Sequence, residues 1–164
     1  MGDFQACLVG QADVLKLLPE AHSTWGISMN PEQFLSYWLQ AEDGVDQRMF
    51  EFLKRLKQSG YNCFLATNQE QNRFSYLQRT LNLHALFDGL YSSHALGVKK
   101  PDPVFYERML ADIPHAERSE LLFGDDTPAN VEGARNAGIQ AEYYSSPEEF
   151  VEKMKNYVFL NPRD

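Results

Sequence analysis

From residue 45 onward, short apolar runs alternate with amphipathic stretches of helical period. Over residues 45–59, Met49, Phe50, Phe52, Leu53 and Leu56 lie mostly on one face, Arg48, Lys54, Arg55 and Lys57 on the rest, and Gly60 ends the helix. Residues 61–66 are an apolar run of strand length, followed by the polar loop Thr67-Asn68-Gln69. Arg73, Phe74, Leu77 and Leu81 mark the next helix, and residues 86–92 read as a turn and a weaker strand. Residues 97–103 lead into a helix capped by Asp102, with Val104, Phe105, Met109 and Leu110 on its buried side and Pro114 at its close. The run Leu121-Leu122-Phe123 then ends in Gly124-Asp125-Asp126. Thr127 and Pro128 form a helix start, cap followed by proline, and Gly138 is a natural stop after Val131, Ala134 and Ala137. A last strand covers residues 139–143, and Ser146 and Glu149 have capping-box spacing before Phe150, Val151, Met154 and Tyr157.

Residues 1–44 carry a different pattern. Val14, Leu15, Leu17 and Leu18 make a short apolar stripe that stops at Pro19, and residues 20–29 read as a loop in which Trp25 and Ile27 pack. Asn30-Pro31 starts a helix whose apolar face is Phe34, Leu35, Trp38 and Leu39. Two units follow: a helical region over 1–44 and an α/β core over 45–164. Helices of crossover length between strands predict a mostly parallel sheet covered on both faces, a three-layer Rossmann-like arrangement. Strand ends at Thr67-Asn68, Ser92-Ser93 and Asp125-Asp126 then lie along one sheet edge, where open α/β sheets bind their ligands.

Composition narrows the function classes. With 43% hydrophobic and 23% charged residues, the chain is globular. Its net charge of −8 gains nothing from phosphate backbones, so nucleic acid is excluded as a partner. Residues 1–47 hold Lys16 against seven acids, which assigns an anionic ligand to the second unit. Cys7 and Cys63 have no metal-ligand spacing, and Cys63 reads as a buried thiol. No apolar stretch reaches membrane-spanning length and no basic segment precedes an apolar core at the N-terminus, so the reducing cytoplasm is the expected compartment.

Asp125 and Asp126 carry the chemistry. Two adjacent carboxylates repel unless a cation or a proton is shared, and oxygen ligands suit a hard divalent ion such as Mg2+. The plainer alternative is that the pair only favours the dipole of the following helix. Thr67 and Asn68 equally have a plain reading as a helix cap, and Lys99-Lys100 as a solvated pair.

Thr-Asn after an apolar strand, Gly-x-x-Lys-Pro-Asp before a helix and Gly-Asp-Asp-x-x-x-Asn-x-x-Gly-Ala after a strand occur in that order. This resembles the haloacid dehalogenase superfamily of hydrolases, mostly phosphatases, over about residues 45–145, with the first region resembling the family's small helical cap. The resemblance implies that Thr67 binds the transferring phosphoryl group beside Asn68. It implies that Lys100, which directly precedes Pro101, neutralises phosphate and nucleophile. It gives Asp125 and Asp126 the magnesium, one of them directly, and makes Asn130 a support for their loop. The implied activity is Mg2+-dependent hydrolysis of a small phosphorylated metabolite. Dehalogenation, which needs no magnesium, is the second chemistry of the family. A non-catalytic binding protein on the same fold and a phosphate-accepting receiver domain are the alternatives; the Lys-Pro-Asp loop and the cap-like helices argue against the receiver.

The family's Asp-x-Asp nucleophile motif has no counterpart. Of Asp3, Asp13, Glu20, Glu32, Glu42, Asp43 and Asp46, none stands two residues from another at the end of an apolar strand, and only Met1 and Gly2 precede Asp3. In the family the strand bearing that motif is central, between those ending at Thr67 and Asp125. The expectation is therefore an N-terminally shortened enzyme whose first central strand is missing. Two inner strands then lack a neighbour, which favours self-association through an unpaired edge.

Overall fold

The alternation after residue 45 becomes four short parallel strands separated by helices. The computed structural model describes residues 4–42, 44–113 and 117–157. Asp3, Asp43 and Pro114, to which the sequence reading gave roles, lie outside them. Three helices come first: α1 (Phe4–Leu8), α2 (Val14–Trp25) and α3 (Pro31–Ala41). Then follow α4 (Gln47–Gln58), β1 (Phe64–Thr67), α5 (Gln71–Thr80), α6 (Leu83–Leu86), β2 (Gly89–Ser92), α7 (Ser93–Leu96) and α8 (Pro103–Asp112). A short 3-10 turn precedes β3 (Leu122–Asp125), α9 (Pro128–Asn136), β4 (Gln140–Tyr143) and α10 (Pro147–Met154).

Cap residues set the helix starts. The side chains of Asp46, Asp102 and Ser146 each accept an N–H from the first turn they open. The expected stop at Pro19 is wrong, and of the loop expected over 20–29 only 26–29 is loop. Helix α2 runs through Pro19 to Trp25 and ends at Gly26, whose φ of 68° lets its N–H reach the His22 carbonyl. Proline removes one helical hydrogen bond, but the buried face continues across it through Leu18, Ala21 and His22, so packing outweighs the local loss. Trp25 is exposed rather than packed. The four-residue helices α6 and α7 were not foreseen; each is too short to show a period.

The sheet is in two pieces. β1 pairs in parallel with β2, from Phe64 opposite Gly89 to Thr67 opposite Ser92. β3 pairs in parallel with β4, from Leu122 opposite Gln140 to Asp125 opposite Tyr143. Among the described residues no ladder joins the two pairs. A cleft of about 1320 Å³ is lined by Phe64, Leu65 and Ala66 of β1, by Leu122, Phe123 and Gly124 of β3, and by Phe52 and Phe150 from the covering helices. The core lies around α8 and α9, where Phe105 and Tyr106 are wholly buried against Val131, Ala134, Ile139 and Ala141. A second cluster, built from Cys7, Val14, Leu18, Leu35 and Leu39, gathers the first three helices, and Tyr76 of α5 packs on it.

Candidate active site

The sequence-predicted site residues lie at the carboxyl ends of β1 and β3, on the loop between α7 and α8, and, for Asn130, in the first turn of α9. Thr67 closes β1. Asn68 follows it and makes a reciprocal pair with the Lys100 backbone: its Nδ2 donates to the Lys100 carbonyl at 2.9 Å, and the Lys100 N–H donates to its Oδ1 at 2.9 Å. Asn68 therefore fixes the distance between two loops that belong to different strands. No helix-capping bond to α5 comes from Thr67 or Asn68; Glu70 fills that role.

Lys100 is 7% exposed. Its Nζ donates to the Ala66 carbonyl at 2.7 Å and to Asp125 Oδ2 at 2.6 Å, and sits 5.3 Å from the centre of the Phe123 ring. One ammonium thus bridges the ends of β1 and β3 across the cleft. A solvated lysine pair is ruled out for Lys100, whereas Lys99 points to Gln5 near the N-terminus. A buried charge of this kind persists only when its partners are close and its protons are used; the opposing carboxylate and the carbonyl meet that need.

The two acids differ. Asp125 is buried and its oxygens are taken by protein: Oδ1 accepts the Thr127 N–H at 2.9 Å and Asn130 Nδ2 at 3.0 Å, and Oδ2 accepts Lys100. Asp126 is exposed, and the Thr127 hydroxyl donates to its Oδ1 at 3.3 Å. Thr127 occupies the cap position of α9, but its side chain does not cap, contrary to the expected role; the hydroxyl turns to Asp126 instead. Asp126 is thus the carboxylate with room for a cation. Among the described residues no three His, Cys, Asp or Glu side chains gather as a complete metal shell. The residues present fit one edge of a magnesium site.

Several supporting residues escaped the sequence reading. The Tyr106 hydroxyl donates to the Asn130 carbonyl at 2.7 Å, so a fully buried ring holds the helix that presents Asn130 to Asp125. Burial, then the Asp125 charge, push the Tyr106 hydroxyl above its usual range and keep it a neutral donor. Gly133 lets α9 approach: a Cβ there would stand 2.8 Å from the Pro101 carbonyl. A lone glycine inside a helical pattern was the signal for that approach. The apolar period drew the buried side of this helix through Val104, Phe105, Met109 and Leu110 and gave no sign of Tyr106 or its hydroxyl.

Residues 35–142 match the family model for haloacid dehalogenase-like hydrolases. The chain belongs to that family. A sesquiterpene phosphatase of Aspergillus oryzae is 35% identical over 94 residues, which are 57% of this chain and 47% of that protein. A D-ribitol-5-phosphate phosphatase of Bacteroides thetaiotaomicron is 27% identical over 147 residues, 85% of this chain and 69% of that protein. The chain spans about half or less of the first curated relatives it matches. In fold it is similar to a haloacid dehalogenase family enzyme from B. thetaiotaomicron in complex with magnesium and inorganic phosphate, with a TM-score of 0.79 and 17% identity over 92% of this chain and 78% of that one. A predicted hydrolase of the family from Porphyromonas gingivalis gives 0.76 and 24% over 93% and 77%. The chain thus has the mixed α/β fold of that family. No described helix is long and apolar enough to cross a membrane.

Proposed function

We propose that this chain carries the phosphate- and magnesium-binding loops of a phosphatase acting on a small phosphorylated metabolite, with residues 1–44 as its cap and 45–164 as its core. The observation that carries the reading is Lys100, buried between Ala66 and Asp125 and pinned by Asn68 at the ends of two strands. Phosphoryl transfer depends mainly on positioning and charge neutralisation. Thr67 and Asn68 would hold the phosphate oxygens, and Lys100 would offset the charge that builds on the nucleophile and the phosphoryl group. Asp126 would hold Mg2+, while Asp125, locked by Thr127 and Asn130, fixes the lysine. A bound Mg2+ supplies further neutralisation of the phosphoryl oxygens. A similar fold from B. thetaiotaomicron holding magnesium and inorganic phosphate supports this choice of ligands.

The nucleophile requires one more element. The cleft between β1 and β3 has parallel strands on both sides and the Lys100 ammonium at its carboxyl end. It suits a further parallel strand whose terminal carboxylate meets that lysine, which supports an aspartyl-phosphate route. Without such a strand the same residues bind phosphate and metal and turn nothing over, which is the second reading. The unpaired edges also support self-association of the 164-residue chain, which sedimentation over a wide concentration range tests.

Relatives that are phosphatases of a sesquiterpene and of D-ribitol 5-phosphate, together with a pyrimidine 5′-nucleotidase, set the panel. The natural full-length protein should release phosphate from at least one of an isoprenoid phosphate, a pentitol phosphate and a pyrimidine 5′-monophosphate when Mg2+ is present. Failure on all three, with phosphate still bound, would favour the binding reading. Chloride release from a 2-haloacid without metal would turn the assignment to dehalogenation.

A further inference from the structure

The cap region meets the core along a seam that runs beside the Thr67-Asn68 loop. Helices α2 and α5 start at the same place on this seam, one from each side. Asp13 is the cap of α2 and accepts the Leu15 N–H at 3.0 Å. Glu70 is the cap of α5 and accepts the Asn72 and Arg73 N–H groups. Asn72 Nδ2 lies between them, 3.2 Å from Asp13 Oδ1 and 3.1 Å from Glu70 Oε2. Its two hydrogens match two acceptors, so one carboxamide ties the caps of two helices from different regions of the fold.

Glu70 makes this tie matter to the site. It is 2% exposed, two residues from Asn68, and its carboxylate is held by N–H donors of the α5 start. A buried carboxylate is expensive unless its lone pairs are used, so losing the Asn72 amide strands part of that charge. The same short loop is held on its other side by Ser93, whose hydroxyl accepts the Gln69 N–H at 3.0 Å. Arg73, the next residue, reaches Glu42 at the end of α3 at 2.6 Å, and Gly10 approaches the His94 carbonyl so closely that a Cβ would stand 2.5 Å away. These contacts gather on core segments within a few residues of Asn68 or Lys100.

We infer that Asn72 is a positioning residue that lets the cap, through Asp13, hold the Thr67-Asn68 loop in place. Displacing the cap breaks the Asp13 contact and loosens Glu70, and the loop follows. The link to phosphate affinity rests on the function proposed above; the mechanical link does not.

Asp13→Ser separates this role from plain helix capping. Serine caps helices as well as aspartate does, but it is too short to reach Asn72. Asn72→Ala removes the carboxamide itself. In the full chain, amide hydrogen exchange at Gln69, Asn72, Arg73 and Phe74 should rise about tenfold in Asp13→Ser, the cost of about one charge-assisted hydrogen bond. Amides of α9 and the Tyr144 N–H should keep their rates. Asn72→Ala should give at least the same rise, and adding Asp13→Ser to it should add little, because both remove one link. In a chain that binds inorganic phosphate, its affinity should fall about tenfold in Asp13→Ser, with the melting temperature lowered by only a few degrees. Unchanged exchange at residues 69–74 in Asp13→Ser, a uniform rise across the molecule, or full additivity of the two substitutions would each overturn the inference. Absence of phosphate binding in the unmodified chain would count against the proposed function and leave the exchange result to decide this one.

Discussion

Lys100 shows how much a single buried charge organises. Its three protons face a carboxylate, a carbonyl and the ring side of Phe123. Removing one partner of a buried pair leaves the other uncompensated, which costs about 3–5 kcal/mol. Lys100→Met should therefore destabilise the chain by about that amount in urea unfolding, and adding Asp125→Asn should recover part of the loss. A Lys100→Met variant as stable as the parent would show that Asp125 finds another donor. Gly133 is the second residue of this kind. Ala at 133 would press on the Pro101 carbonyl and on the Tyr106 ring at 2.9 Å, so Gly133→Ala should lower stability by about 1–3 kcal/mol and be seen as a lower melting temperature. The sequence singled out Asp125 and Asp126 because two carboxylates end an apolar strand, whereas the roles of Thr67, Asn68, Lys100 and Asn130 came from the resemblance of their motifs to the family. It did not divide the labour between Asp125 and Asp126, since adjacent identical residues differ only in which way the chain turns. Nor did it name Glu70 or Tyr106, whose polar atoms act through contacts that only the folded chain brings together.

At the scale of elements, the strands and long helices after residue 45 were readable because apolar period and caps agree. Helix α2 was not, because Pro19 gives a strong local stop signal that burial of Leu18, Ala21 and His22 overrides. One acid links three elements. Asp88 accepts Lys57 Nζ from α4 at 2.8 Å and the Cys63 N–H ahead of β1 at 2.8 Å, while its own N–H reaches the Cys63 carbonyl at 2.7 Å. The Lys57 ammonium first, and then the Cys63 N–H, hold the Asp88 carboxyl below its ordinary value. A carboxyl whose value is lowered on folding stabilises the fold fully above its unfolded value, near 3.9, and loses that contribution as pH falls through the lower folded value. Asp88→Asn should then flatten the acid side of the stability profile, read as urea midpoints from pH 5 down to 2.5. Equal acid sensitivity in both proteins would show that Asp88 carries none of it.

For the whole molecule, the sequence foretold a parallel α/β architecture with strand ends converging on one edge, and the two parallel pairs agree with it. The lack of a ladder between those pairs among the described residues is not legible in local pattern, because strand order is set by long-range pairing, which periodicity does not encode. The expectation of a missing central strand came from resemblance, and the 1320 Å³ cleft between β1 and β3 is where the structure leaves space for one. Lys100 spans that space at its carboxyl end, so the charge chemistry and the gap in the sheet meet at one point. The central claim is that this point is the metal- and phosphate-handling end of a phosphatase. The most direct measurement is the initial rate of phosphate release by the natural full-length protein against Mg2+ concentration, beside its Asp126→Asn variant. The account predicts a rate that vanishes with chelator, saturates with Mg2+ and falls at least about a hundredfold in the variant, the scale of losing one electrostatic contact to the transition state. A rate indifferent to chelator and to Asp126→Asn would contradict it.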